Sequence, residues 1–218
     1  MKRGKLIAIE GTDGSGKATT VEAIKERFER AGIPVEAFSF PRYDTPTGRR
    51  VRAYLDGKEE DPIKVAPKEA AKLYTDDRQA ASPEIEENLK NGVYVLCDRY
   101  IGSNLAHQGA KVSDMKERES IIAEIEADEL DSGIPKPDLT VLLNLNPELA
   151  RKAMEQQGRK QDGHEANSEY QQAVVETYLW LARTRIDWKQ VECVNGSRRK
   201  TVDEIADEIW SHISPLVS

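Results

Sequence analysis

The sequence GTDGSGK at residues 11–17 constrains the fold more than any other feature of this 218-residue chain. It has the spacing G-x-x-x-x-G-K, follows the apolar run KLIAIE at residues 5–10, and precedes a segment with helical spacing of apolar residues. Glycines let the backbone curl so that successive N–H groups face a polyphosphate, and Lys17 adds a mobile cation. The sequence therefore predicts a strand, a phosphate-binding loop (P-loop) and a helix.

Strand-like and helix-like segments alternate along the chain. Apolar runs predict strands at residues 5–10, 35–40, 93–98, 139–144 and 190–195. Helical spacing predicts helices at residues 17–31, 67–91, 113–130, 168–187 and 201–213. The second helix is expected to be interrupted or restarted at Ser82-Pro83. This alternation indicates an α/β fold, a P-loop three-layer sandwich whose five-stranded parallel sheet is flanked by helices. We expect one P-loop domain over residues 1–218, with the polar segment at about 157–167 as a mobile lid.

Charge and composition exclude two classes of protein. The chain has 39 acidic and 32 basic residues, a formal net charge of -7, which argues against sequence-independent nucleic-acid binding. No run approaches the roughly 18 apolar residues that span a bilayer, so no membrane partner is expected. The apolar stretch near the N-terminus is too short for a signal peptide, and Cys97 and Cys193 are expected to be reduced, buried thiols. These features favour the cytoplasm.

Arginines follow two of the predicted strands, at the edge of the sheet where ligands of parallel sheets bind. Arg42 lies in FPRYD at residues 40–44, and Arg99 follows Asp98 at the end of the third strand. A guanidinium there can engage two phosphate oxygens at once, so both are predicted to bind phosphate. Three further arginines are instead expected on a solvated helix face: Arg49, Arg50 and Arg52.

The metal site is less clearly specified by the sequence. Ala18 follows Lys17, at the position where P-loops usually carry a hydroxyl residue that binds Mg²⁺. Two alternatives follow: carboxylates such as Glu10 or Asp98 hold the metal through water, or the phosphates themselves hold it. Asp98 also has the chemistry to orient the attacking oxygen or to cap the next helix.

Tyr74 and Arg78 are four residues apart on a predicted helix and therefore share a face. Such a pair can stack on a base and hydrogen-bond its edge. Without further context, Tyr74 is interpreted as a core residue.

Taken together, five motifs resemble the thymidylate kinase family: GTDGSGK, FPRYD, LYTDDR at 73–78, DRYIGSNLAHQG at 98–109 and GRKQD at 158–162. The resemblance extends from the first strand to the last helix. It implies a five-stranded P-loop nucleoside monophosphate kinase that transfers the γ-phosphoryl of ATP to dTMP, giving dTDP. It also implies Mg²⁺ as a cofactor and a homodimer packed through helices.

The resemblance implies a role for each matching residue. The ATP-binding loop would comprise Gly11, Thr12, Asp13, Gly14, Ser15, Gly16, Lys17, Ala18 and Thr19. The dTMP site would comprise Asp13, Phe40, Arg42, Tyr43, Tyr74, Arg78, Arg99, Ser103, Asn104, His107 and Gln108. Within it, Arg42 and Arg99 would hold the phosphate, and Asp13 would contact the 3'-hydroxyl. Catalysis would rest on Lys17, Asp98, Arg99 and the lid residue Arg159, with Lys160 as an alternative lid cation.

The resemblance also implies how the base and sugar are held. Tyr74 would stack on thymine, where the family usually has Phe, and Arg78 would reach a thymine carbonyl. Ser103 or Asn104 would read the base edge. His107 stands where an aromatic residue commonly guards the sugar 2' position.

Two other functions remain open from the sequence. A deoxynucleoside kinase or another monophosphate kinase also joins a P-loop to an Asp-Arg motif, but Arg42 suits an acceptor that already bears a phosphate. A non-catalytic nucleotide-binding switch would have no reason to place Arg42, Arg78 and Arg99 around a second pocket.

Overall fold

Five parallel strands form the central sheet of the computed structural model, which describes residues 2–58, 60–146, 149–150, 167–196 and 198–217. The strands of this sheet are β1 (Leu6–Gly11), β2 (Val35–Ser39), β3 (Tyr94–Asp98), β4 (Leu139–Asn144) and β5 (Trp188–Glu192). A two-residue hairpin follows, made of β6 (Val194–Asn195) and β7 (Arg198–Arg199). The helices of the described ranges are α1 (Lys17–Arg30), α2 (Pro46–Leu55), α3 (Pro67–Lys90), α4 (Ile101–Gly109), α5 (Met115–Asp131), α6 (Ser168–Thr184) and α7 (Val202–Ile213).

The strand order β2-β3-β1-β4-β5 places the P-loop strand at the centre of the sheet. All four neighbouring pairs are parallel, so the carboxyl ends of the strands meet at one edge. The P-loop and the segments after β2 and β3 therefore come together there. This architecture confirms the predicted α/β sandwich.

Apolar side chains cover both faces of the sheet. Along β1, Ile7 and Ile9 pack toward α1 and α7, whereas Leu6 and Ala8 pack toward the core formed with α3, α4, α5 and α6. All four are at most 1% exposed. The alternation follows from the period of two in a β-strand, and burial on both faces explains why β1 reads as one apolar run.

The predicted strand at 190–195 is wrong in its extent. β5 ends at Glu192, and the chain then turns into the β6–β7 hairpin at Gly196, whose φ is +61°. Cys193 N still donates to Asn144 O at 2.9 Å, so the sheet ends just before Val194. Gly196 directly follows β6, and its positive φ, which glycine adopts without strain, allows the turn.

The predicted break in the second helix is also wrong. α3 continues through Pro83 as one helix of 24 residues. Pro83 lacks the N–H that would bond to the carbonyl four residues earlier, but Ile85 and Leu89 beyond it are buried in the core. The packing of this face outweighs the missing hydrogen bond.

The C-terminal residues lie at the amino ends of the strands. α7 begins with the capping box expected from TVDE, in which Thr201 and Glu204 exchange side-chain and backbone hydrogen bonds. After α7, a short 3-10 turn at Ser214–Leu216 passes the start of β3, where the Tyr94 hydroxyl donates to Leu216 O at 2.9 Å. Of the helices that the structure describes, none is both long and apolar enough to cross a bilayer.

Candidate active site

A cavity of about 580 Å³ opens at the carboxyl ends of the strands. At one end it is bounded by the P-loop, and at the other by α3 and α4. Apart from Gly11, Thr12 and Arg42, every predicted site residue in the described part of the chain lines it. Arg159 and Lys160, with most of the predicted lid at 157–167, lie outside the described residues.

The P-loop holds its glycines in conformations that side chains rarely adopt. Gly11, Gly14 and Gly16 have φ values of +146°, +79° and +99°. At Gly11 a Cβ atom would also meet Leu143 O at 2.8 Å, so this position has no room for a side chain. The loop residues Gly14, Ser15 and Gly16 line the cavity at the start of α1, where the N-terminus of a helix favours an anion.

Lys17 lies inside the loop with its ammonium among carbonyl and carboxylate oxygens. Its Nζ donates to Thr12 O at 2.9 Å and lies 3.9 Å from Asp13 Oδ1. Burial, together with the charge of Arg99, lowers the pKa of Lys17 to about 8. A bound polyphosphate would add negative charge beyond that of Asp13 and so favour the charged lysine.

Arg99 joins the P-loop to α4. It has φ of +63°, and no other non-glycine residue of the described ranges has a positive φ. Its guanidinium donates to Asp13 Oδ1 at 2.7 Å and to Ser103 Oγ at 3.0 Å. Burial lowers the pKa of Arg99, but attraction to Asp13 and other negative groups outweighs burial and holds the pKa well above its usual value. Arg99 is therefore a fixed cation between the two ends of the cavity.

Glu10 is occupied in holding the turn between β3 and α4. Its carboxylate accepts hydrogen bonds from Tyr100 N at 2.9 Å, from Ser103 N at 2.9 Å and Ser103 Oγ at 2.6 Å, and from the Tyr178 hydroxyl at 3.1 Å. Both oxygens are thus used, and Glu10 does not line the cavity. Of the two carboxylates considered for the metal, only Asp98 faces the cavity.

Arg42 is held by Asp77, a residue of α3 whose role the sequence analysis missed. Arg42 N donates to Asp77 Oδ2 at 2.8 Å, and Arg42 Nη2 donates to Asp77 O at 2.8 Å. Thr47 Oγ1 donates to Asp77 Oδ1 at 2.7 Å, which ties the start of α2 to the same carboxylate. Asp77 therefore fixes the whole β2–α2 connection, and Arg42 lies beside the cavity rather than in its lining.

The far end of the cavity presents buried polar groups. Arg78 is 2% exposed and forms a bidentate ion pair with Glu129 of α5, which is fully buried. Burial lowers the pKa of Arg78, but attraction to Glu129 outweighs it, so that pKa lies above its usual value. Asn104 Oδ1 and both amide atoms of Gln108 are buried without a hydrogen-bond partner in the described ranges. Unpaired buried groups of this kind indicate a site built for a polar ligand.

The ring of Tyr74 lines the same end of the cavity. It packs edge-on against Tyr54, with 6.1 Å between ring centroids. His107, one helical turn after Asn104, is anchored to α6 because the Tyr170 hydroxyl donates to its carbonyl oxygen at 2.9 Å. The arginines of α2 are exposed, as predicted.

The β6–β7 hairpin and the residue after it supply two cavity residues that the sequence analysis missed. Arg199 and Lys200 line the P-loop end, and Arg199 Nη2 donates to Gly14 O at 2.9 Å. The turn residue Gly196 followed by the basic run at 198–200 could have located them. Glu129 and Asp77 carry no such signal, because their partners are far away in the sequence.

A family model, curated proteins and a solved structure match most of this chain. The family model described as thymidylate kinase matches residues 9–205. A thymidylate kinase of Mycobacterium tuberculosis is 34% identical over 184 residues, covering 81% of this chain and 85% of that protein. One of Carboxydothermus hydrogenoformans is 34% identical over 216 residues, covering 98% of both chains. The solved structure of thymidylate kinase from Candida albicans superposes with a TM-score of 0.76 at 26% identity, covering 98% of this chain and 92% of that one.

Proposed function

This chain belongs to the thymidylate kinase family and transfers the γ-phosphoryl of ATP to dTMP, and we propose that the described cavity is where it does so. ATP would lie on the P-loop, and dTMP would lie between α3 and α4. The observation that carries the proposal is the juxtaposition of a phosphate-binding loop with a second, polar pocket, joined by the Arg99–Asp13 ion pair at 2.7 Å.

We propose that transfer needs positioning and charge rather than a covalent intermediate. The acceptor phosphate of dTMP is already anionic, so no general base is required. Lys17 would hold the β- and γ-phosphate oxygens, and Arg99 would hold the acceptor phosphate against them. On ligand binding, Asp13 would exchange part of its contact with Arg99 for the sugar 3'-hydroxyl. Arg159 or Lys160, by resemblance, would close over the transferring group.

Arg42 would reach the acceptor phosphate from its position on Asp77. Its side chain is about one fifth exposed, so a rotation of the guanidinium is possible without unfolding the loop. Phe40 and Tyr43, its neighbours, already line the cavity. Tyr74 would stack on the base, and His107 would lie near the sugar.

Mg²⁺ is proposed as the cofactor, with Asp98 as the protein group nearest to it. The described residues contain no cluster of three or more acidic, His or Cys ligands. A single carboxylate such as Asp98 fits Mg²⁺, because this ion is often held by one or two carboxylates together with waters and the substrate's own phosphates. The chemistry that bound Mg²⁺ supplies is neutralisation of charge on the phosphate oxygens.

A homodimer and a cytoplasmic location are further proposals. The dimer rests on the family resemblance, and mass measurement in solution tests it: twice 24.5 kDa supports it, and 24.5 kDa contradicts it. Ile122 and Ile125 of α5 are core residues. An interface on that helix would therefore use other side chains. Cys97 and Cys193 are free and buried, which agrees with a reducing compartment.

One experiment tests the proposed substrate. The protein is incubated with ATP, Mg²⁺ and a panel of nucleosides and nucleoside monophosphates, and the products are separated. We expect dTMP to be converted to dTDP faster than any other acceptor is phosphorylated. Preferred consumption of thymidine or of another monophosphate would support the rival kinases, and transfer to no acceptor would support a switch.

A further inference from the structure

We propose that Glu129 is a positioning residue that sets base specificity, because it decides which atoms of Arg78 and Asn104 face the substrate. The inference rests on the proposed placement of dTMP between α3 and α4. It concerns a residue of α5 that does not line the cavity. Glu129 would act entirely through its two partners.

The first partner is Arg78. Glu129 Oε2 accepts from Arg78 Nε at 2.9 Å, and Oε1 accepts from Arg78 Nη2. Within the described ranges, every hydrogen bond of this guanidinium goes to Glu129. The edge formed by Nε and Nη2 is therefore taken, and the donors left for a ligand are the two N–H groups of Nη1 and the second N–H of Nη2.

The second partner is Asn104. Its Nδ2 donates to Glu129 Oε1 at 2.7 Å and to Ala71 O at 3.1 Å. Both acceptors are committed to that role, since a carboxylate and a carbonyl oxygen cannot donate. The amide nitrogen must therefore face them, and Oδ1 is left as the buried atom without a partner among the described residues.

The result is a donor of Arg78 and an acceptor of Asn104 on two cavity-lining side chains that share the Glu129 Oε1 atom. Thymine presents the complement on one edge: O4 accepts and N3–H donates. Cytosine presents the reverse, because its C4 substituent is an amino group and its N3 accepts. The arrangement fits thymine or uracil and opposes cytosine, and it cannot sense the methyl group that separates thymine from uracil.

A purely structural role for Glu129 makes a different prediction from this one. If Glu129 only filled space in the core, Gln would replace it best, because Gln has the same size. If Glu129 matters because its carboxylate accepts hydrogen bonds and donates none, Asp should replace it better than Gln does, although Asp is shorter. Gln brings an N–H₂ group that must oppose a donor of either Arg78 or Asn104.

The test compares Glu129→Gln and Glu129→Asp, using kcat/KM for dTMP, dUMP and dCMP. We expect the wild-type protein to prefer dTMP over dCMP by on the order of 10⁴. Glu129→Gln should lower this ratio at least about tenfold, mainly through a higher KM for dTMP. The dTMP-to-dUMP ratio should stay within about threefold of wild type. Glu129→Asp should keep more of the dTMP-to-dCMP preference than Glu129→Gln does.

Glu126→Gln is the matched control, since Glu126 lies on the same helix and pairs with Arg185. It should leave both ratios unchanged. A Glu129→Gln protein that keeps the wild-type preference, or keeps it better than Glu129→Asp, would overturn the inference. A wild-type protein that fails to phosphorylate dTMP would instead refute the proposed function.

A second variant covers the case in which neither Glu129 substitution folds. Asn104→Asp replaces the amide nitrogen that donates to Glu129 Oε1 with an oxygen that can only accept, so Glu129 can no longer hold this side chain in its orientation. The KM for dTMP of this variant should therefore rise at least about tenfold. A variant whose KM for dTMP stays at the wild-type value would mean that Glu129 does not control residue 104.

Discussion

Lys17 holds its proton less tightly than an ordinary lysine, because it is buried and lies near Arg99. Its pKa of about 8 in the free protein means that the ammonium is present below that pH and is lost above it. ATP is an anion, so binding should weaken as the charge is lost. We expect kcat/KM for ATP to fall as pH rises through about 8, which a pH series at saturating dTMP measures.

Lys111 provides the control for this pH effect. Burial also lowers its pKa to about 8, but Lys111 does not line the cavity and instead donates to Pro62 O and Val65 O. Lys111→Met should therefore keep the alkaline decline. A decline that disappears in this variant would assign the titration to Lys111 and not to Lys17.

Arg199 should contribute to ATP binding from the hairpin. Its guanidinium donates to Gly14 O and lines the P-loop end of the cavity. Arg199→Ala should raise the KM for ATP about tenfold, the equivalent of roughly 1.4 kcal/mol, and leave the KM for dTMP unchanged. Arg198→Ala is the control, because Arg198 pairs with Glu204 and does not line the cavity. Equal effects of the two substitutions would contradict a specific role for Arg199.

Site residues that lie together in short sequence motifs could be predicted from the sequence. The P-loop glycines, Lys17, Asp98 and Arg99 lie in short motifs, and the structure brings them together at one edge of the sheet. The supporting residues could not be found this way. Glu129 is 51 positions from Arg78, and Asp77 is 35 from Arg42, so only the fold relates them.

At the scale of elements, α3 fixes the β2–α2 connection through Asp77. Asp77→Asn would replace a charged carboxylate, which accepts hydrogen bonds from Arg42 and Thr47, with a neutral amide. We expect the KM for dTMP to rise about tenfold or more, with a smaller change in kcat, because the Arg42 backbone and the start of α2 are held less firmly by a neutral amide. Steady-state kinetics at saturating ATP measure both constants.

The neighbouring Asp76 supplies the control for this prediction. Asp76 pairs with Arg50 and Lys72 on the surface and does not line the cavity. Asp76→Asn should leave the kinetics of dTMP close to wild type. A KM that rises equally in both variants would mean that α3 as a whole, and not the Asp77 carboxylate, is perturbed.

The sequence predicted long amphipathic helices better than short ones. α1, α5, α6 and α7 lie close to their predicted positions, since one apolar stripe packs each of them on the core. α2 and α4 were expected only as helices without bounds, after the second and third strands. α4 reads IGSNLAHQG, whose glycines and polar residues disfavour helix, yet it is buried between α3, α5 and α6. Tertiary packing decides such a segment, and local propensity does not.

At the scale of the whole molecule, cavity-forming substitutions on the two faces of the sheet should differ in their effect on the KM for dTMP. Leu105 of α4 and Ile209 of α7 are both at most 1% exposed, in separate cores. Leu105→Ala and Ile209→Ala should each cost about 2 to 5 kcal/mol of unfolding free energy, measured in urea. Only Leu105→Ala should raise the KM for dTMP, because α4 also carries Ser103, Asn104 and Gln108. A KM raised equally by both would contradict this separation.

The contact between Tyr94 and Leu216 has a practical consequence for handling the protein. It holds the C-terminal turn at the amino end of β3, whereas the cavity opens at the carboxyl ends of the strands. A biotin or affinity tag attached at the C-terminal end would therefore anchor the molecule with its cavity facing away from a sensor surface. Nucleotides could then be flowed over the immobilised protein without the support blocking their entry.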